Sequence, residues 1–183
     1  STICFPMIFA SLVMTLVVAQ ACVEIGGGAV GQQEERLDIE RYAARTKSLE
    51  NARTNLLEAW DVLEAAPTYE EFSGILRARV LPAVESYLTA LESINTELPE
   101  LQKTHAALVE SYGLFVRGLR GLSSRSASKA PEEVEAELRK LLLDARQAQV
   151  VYRQDISSLY ARNGYRLVVE EDKGFRDKKS QAP

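Results

Sequence analysis

The stretch PELQKTHAALVESYGLFVRGLRGL, residues 99–122, decides the fold class. Leu101, His105, Leu108, Tyr112, Phe115, Leu119 and Leu122 recur along it at spacings of three and four. That rhythm places them on one face of an α-helix, which turns once every ~3.6 residues. Pro99 suits the first helical position, where its missing N–H has no partner within the helix anyway.

Working upstream, Leu76, Val80, Ala83, Tyr87, Ala90 and Ile94 form one apolar seam, and Leu81, Val84, Leu88 and Leu91 an adjoining one. Thr68-Tyr69-Glu70-Glu71 reads as a capping box, with Thr68 as N-cap and Glu71 at N3. Pro82 lies inside this second helix, removes one ladder donor, and is expected to kink it near Arg79 rather than end it. Before Pro67, residues Tyr42, Leu49, Leu56 and Leu63 repeat every seven positions, with Ala52, Ala59 and Ala66 between them and Leu57 and Trp60 broadening the stripe. Downstream, Ser123 to Ala130 is a polar connection. Pro131-Glu132-Glu133 then opens a fourth helix with acidic groups at its positive end. Val134, Leu138, Leu141, Ala145, Ala148, Tyr152, Ile156 and Leu159 make its seam, and Asn163-Gly164 its stop. Four amphipathic helices over about 34–65, 68–95, 99–122 and 131–163, joined by short connections, predict an all-α domain. Its expected form is an antiparallel up-down-up-down four-helix bundle within residues 34–171, followed by a disordered polar tail at 172–183.

The first two dozen residues differ from everything after them. Ser1 to Val23 carries no charged side chain, and Ile8 to Val18 is an apolar core of signal-peptide length. The chain opens on Ser1 with no basic n-region, so an upstream continuation is expected. Val18-Ala19-Gln20-Ala21-Cys22 resembles the lipobox of bacterial lipoprotein precursors, in which small or aliphatic residues precede the Cys that becomes the first mature residue. The resemblance implies a signal peptide over 1–21, lipid on Cys22, and a membrane-anchored protein of the cell envelope. It would face the periplasm or the exterior, with Val23 favouring the outer membrane. Two other readings stay open. Ala19-Gln20-Ala21 also satisfies the small-x-small rule of ordinary signal peptidase, and the segment is long enough to remain as an uncleaved anchor. The Gly-rich run that follows reads as a flexible tether over 22–33.

Composition then narrows the function. With 26 acidic and 22 basic side chains interspersed and a net charge of -4, nothing favours nucleic acid as a partner. The two cysteines, Cys4 and Cys22, both lie in the N-terminal stretch, which leaves the helical domain without a disulfide or a catalytic thiol. No cofactor or metal is expected. Cys-x-x-Cys-His is absent, both methionines, Met7 and Met14, precede Cys22, and His105 is the single histidine. One histidine cannot supply the paired Glu-x-x-His motifs of a di-iron bundle. There is no Gly-x-Ser-x-Gly elbow, and the acidic pairs Glu132/Glu133 and Glu170/Glu171 read as solvated surface. No catalytic residue emerges, and an enzyme is not expected.

One constellation remains. Tyr42, Tyr87, Tyr112 and Tyr152 supply one seam tyrosine per helix. Counted at ~1.5 Å per residue from the tethered end, they stand at roughly 12, 15, 20 and 16 Å, with His105, Asn95 and Asp155 within a turn or two. This is either a candidate pocket for a small ligand or a layer of space-filling aromatics in which His105 bonds a tyrosine or carboxylate. The segments Pro82 to Leu88 and Pro99 to His105 also resemble uncharacterised helical domains of exported bacterial proteins, a likeness that implies fold and compartment alone. The leading expectation is a non-enzymatic lipoprotein that docks an envelope protein or serves a structural role. The alternative is a small-ligand carrier built on the Tyr/His layer.

Overall fold

Backbone hydrogen bonding within each amphipathic stretch leaves only the apolar seams to be buried, and the chain answers with four helical rods. A computed structural model describes residues 30–165. The first rod contains α1 (Val30–Thr46), a 3₁₀ turn (Lys47–Leu49) and α2 (Glu50–Glu64). Thr46, Leu49 and Glu50 keep right-handed helical dihedrals, so this turn tightens the rod without ending it. The second rod is α3 (Tyr69–Ile75), a π turn (Leu76–Val80) and α4 (Leu81–Glu92). The third is α5 (Pro99–Arg125), followed by a 3₁₀ turn at Ser126–Ser128, and the fourth is α6 (Pro131–Arg162). No strand occurs among the described residues. Nor is any helix there long and apolar enough to cross a membrane.

Boundaries follow the local chemistry. Thr68 is extended and its Oγ1 accepts the Glu71 N–H at 3.2 Å, satisfying one orphan donor of α3. At the other extreme, Gly164 adopts φ +79°. Its N–H bonds the Ala161 carbonyl at 3.1 Å, and the Tyr165 N–H bonds the Tyr160 carbonyl at 2.9 Å. These are the two bonds of a Schellman stop, and the Tyr160 and Tyr165 rings meet edge to face across it. Helix α1 begins at Val30, so positions 30–33 of the expected tether are helical. Cys22, the signal stretch 1–21 and the tail 172–183 lie outside the described residues.

Pro82, expected to kink its helix, lies just after a π turn. Phe72, Leu76, Val80 and Val84 are all buried and follow one another at spacings of four. Four residues overshoot an α-helical turn by ~40°, so three such steps would carry the stripe off the core. The π turn takes up the excess residue: the Leu81 N–H bonds the Leu76 carbonyl five residues back. The ladder thus widens just ahead of the proline, and the seam keeps its phase.

The four seams share one core that includes Leu56, Trp60, Leu63, Leu76, Val84, Leu101, Leu108, Leu119, Leu138 and Leu142. On α6, Leu138, Leu142, Ala145, Gln149, Tyr152, Ile156 and Leu159 are buried in a four-three alternation, with Val134 and Tyr160 also buried toward its two ends. Leu141 and Ala148, expected on that seam, are half-buried at its edge instead. A Cβ on Gly118 would stand 2.3 Å from a Leu141 methyl, so the glycine lets α5 and α6 approach closely there.

Candidate functional site

Of the expected site residues, Tyr42, His105 and Tyr152 come together in the core, from α1, α5 and α6. The Tyr42 hydroxyl lies 2.9 Å from His105 Nδ1 and 2.6 Å from the Tyr152 hydroxyl. His105 Nε2 lies 2.8 Å from the Leu91 carbonyl, near the end of α4. All four rods therefore contribute one group to a continuous run of hydrogen bonds.

The direction of the run follows from donor counts. A carbonyl only accepts, so Nε2 carries the imidazole proton. In the neutral ring Nδ1 is then an acceptor, and Tyr42 donates to it. With its only proton committed, Tyr42 must accept from Tyr152. The order is Tyr152 to Tyr42 to His105 to the Leu91 carbonyl. The Tyr42 and His105 rings stand edge to face at 5.6 Å, interplanar angle 83°.

Electrostatics agree with a neutral chain. Burial lowers the His105 pKa, partly offset by the bond to the Leu91 carbonyl. Burial likewise pushes the Tyr42 phenol up, with the Tyr152 hydrogen bond opposing and Tyr87 adding. Tyr152 is pushed well up, by burial first and then by Tyr42. All three groups are uncharged at neutral pH.

Tyr87 and Tyr112 form a second group beside the first. Their rings lie 5.2 Å apart at 50°, and Gln149 Nε2 donates to the Tyr112 hydroxyl at 2.8 Å. Burial raises the Tyr112 phenol strongly, and Tyr87 adds to the effect. Gln149 did not emerge from the sequence as a site residue. Its signal was there in the spacing, since it sits four residues after Ala145 and three before Tyr152, as a seam residue must. Asn95 and Asp155, expected near this level, are exposed. The Asn95 carbonyl instead accepts from Arg45, tying α1 to the connection between the second and third rods.

A third polar group, also unanticipated, joins the second and third rods elsewhere. Tyr69 donates to the Ser126 carbonyl at 2.6 Å. The Ser126 hydroxyl donates to the Ser123 carbonyl at 3.0 Å and so receives the hydroxyl proton of Ser73. Ser126 is wholly buried. Both this group and the Tyr/His run hold rods to one another through hydroxyls that few apolar neighbours could replace.

What the Tyr/His site can do chemically follows from those commitments. Both imidazole nitrogens and the Tyr42 hydroxyl are engaged with protein partners, so the geometry positions and braces. Among the described residues, no group of three or more His, Cys, Asp or Glu side chains gathers to hold a metal ion. No family model matches the chain, and no curated protein or solved structure matches it either.

Proposed function

We propose that the chain is a non-enzymatic, membrane-tethered lipoprotein of the cell envelope, acting as an interaction or structural module. Its four rods run alternately up and down. The observation that carries the non-enzymatic reading is the run from Tyr152 to the Leu91 carbonyl, which closes the most distinctive polar residues of the interior on one another. A small ligand entering that layer would have to displace bonds already satisfied, so recognition falls to the outer faces.

End-to-end contacts support the antiparallel path. Glu100 at the start of α5 pairs with Arg162 at the end of α6. Tyr165, just past α6, donates to Glu40 in the first half of the first rod at 2.8 Å. Tyr69 at the start of α3 meets Ser126 just beyond α5. The address rests on Val18 to Cys22 and the Gly-rich residues after it. Val23 supports the outer membrane by its likeness to lipoprotein sorting signals. The test is fatty-acid labelling of the precursor in a bacterial host, with membrane fractionation alongside. Wild type should take up label and sediment with membranes, and Cys22→Ala should do neither. Equal labelling of both proteins, or of neither, overturns the proposal.

A further inference from the structure

The run of hydrogen bonds has only one consistent direction while His105 is neutral, and a proton on Nδ1 removes it. Nδ1–H would then face the Tyr42 O–H, two donors 2.9 Å apart. Tyr42 could turn its proton toward Tyr152, but Tyr152 would have to turn its own away. Tyr42 is the hydrogen-bond partner of the Tyr152 hydroxyl among the described residues. Reversal therefore strands a buried O–H beside a newly buried charge, two unfavourable terms at one layer.

We propose that this layer is an acid-sensitive latch: protonation of His105 breaks the Tyr152–Tyr42–His105 run at Nδ1, while Nε2–H keeps its bond to the Leu91 carbonyl, and so loosens the first and fourth rods from the other two. The groups facing His105 are Tyr42 from α1, with Tyr152 of α6 behind it, and the Leu91 carbonyl from α4. No charged side chain among the described residues contributes to its titration. Burial opposes the charged ring, and the Leu91 carbonyl favours it. The sign follows from proton linkage. A histidine whose folded pKa lies below its unfolded value leaves stability complete above pH ~6.5 and erodes it as pH falls toward the folded pKa. An envelope protein would experience such acidification directly. That relevance rests on the proposed address, whereas the latch itself does not.

His105 is the chain's only histidine, so one imidazole reports the event without assignment. The test follows the ring nitrogens of the untagged full chain by NMR from pH 7.5 to 5.0, and measures the unfolding equilibrium over the same range for wild type and His105→Gln. The ring should hold the Nε2–H tautomer below pH ~6.5 and protonate only together with shifts in the Tyr42 and Tyr152 ring signals. The wild-type unfolding constant should rise up to ~10-fold per pH unit relative to His105→Gln. Protonation near pH 6.5 with the tyrosines unmoved overturns the latch, as do parallel stability curves. Should His105→Gln fail to fold, the wild-type resonances decide alone. Cys22→Ala would retain the latch, which separates its failure from that of the lipoprotein reading.

Discussion

Removing the Tyr42 hydroxyl should cost far more than removing that of Tyr152, although the two share one 2.6 Å bond. Tyr42→Phe deletes both the bond to Tyr152 and the bond to His105 Nδ1. It strands a donor on Tyr152 and an acceptor on His105, both buried. At ~1–3 kcal/mol for each of the two stranded groups, the loss is about 2–6 kcal/mol. Tyr152→Phe deletes one bond and strands no donor, because Tyr42 still donates to His105. That change should cost about 0.5–1.5 kcal/mol, the net value of an ordinary hydrogen bond.

The directed run makes a sharper demand on the double variant. With Tyr42 already replaced, the Tyr152 hydroxyl is a liability, so the second substitution removes a buried unsatisfied donor. Tyr152→Phe should therefore destabilise the wild type and stabilise the Tyr42→Phe background, by about 1 kcal/mol in each case. Urea unfolding of the four proteins, followed by far-ultraviolet circular dichroism and analysed at equal m-values, measures the cycle. Equal losses for the single variants would refute the assigned direction. So would a destabilising effect of Tyr152→Phe in both backgrounds.

Alkaline pH should act on the same interior. Burial raises the phenols of Tyr42, Tyr112, Tyr152 and Tyr160, so their stabilising contribution is intact below pH ~10 and is lost as pH rises beyond it. Four such groups give a slope of about 5 kcal/mol per pH unit. Tyrosinate absorbance should appear in one step with loss of helix, and gradual ionisation of a folded chain would contradict the burial argument. Gly121→Ala should stabilise the protein by about 0.5–1 kcal/mol, since the added methyl meets only an Arg125 nitrogen at 3.8 Å and the helix gains propensity. Gly118→Ala should fall below Gly121→Ala by about 1–3 kcal/mol, because Leu141 must give way at the α5–α6 contact. Thermal unfolding of the two variants checks the order.

The rods were legible because nearly every boundary carries its own chemistry. Pro67 with Thr68, Pro99, Pro131 and Asn163 with Gly164 act within a few residues, and each acts where the sequence placed it. The π turn was harder to see. The spacing of Phe72, Leu76, Val80 and Val84 contained it, but a single proline in a seam that keeps its phase reads first as a kink. The 3₁₀ turn at Lys47–Leu49 has no such mark, since the heptad from Tyr42 to Leu63 runs straight through it. For the site, counting residues from one end brought Tyr42 and Tyr152 to one level, with His105 within a turn or two of it. It could not give their pairing, because the tautomer of His105 depends on the Leu91 carbonyl, a backbone group that no side-chain pattern announces.

A core of leucines has one weakness that the polar layers address. Along any rod, sliding by one heptad moves an apolar side chain ~10.5 Å and usually sets another in its place, so burial alone discriminates poorly between registers. The same slide moves His105 away from Tyr42 and from the Leu91 carbonyl together, leaving buried donors and acceptors without partners. Tyr69, Ser73 and Ser126 impose a second condition between the second and third rods. Each group adds a separate condition that a shifted rod would have to meet. These residues therefore contribute less to how strongly the rods associate than to which association is accepted. The proposed interaction module would need that, because the placement of every exposed side chain follows from the register inside.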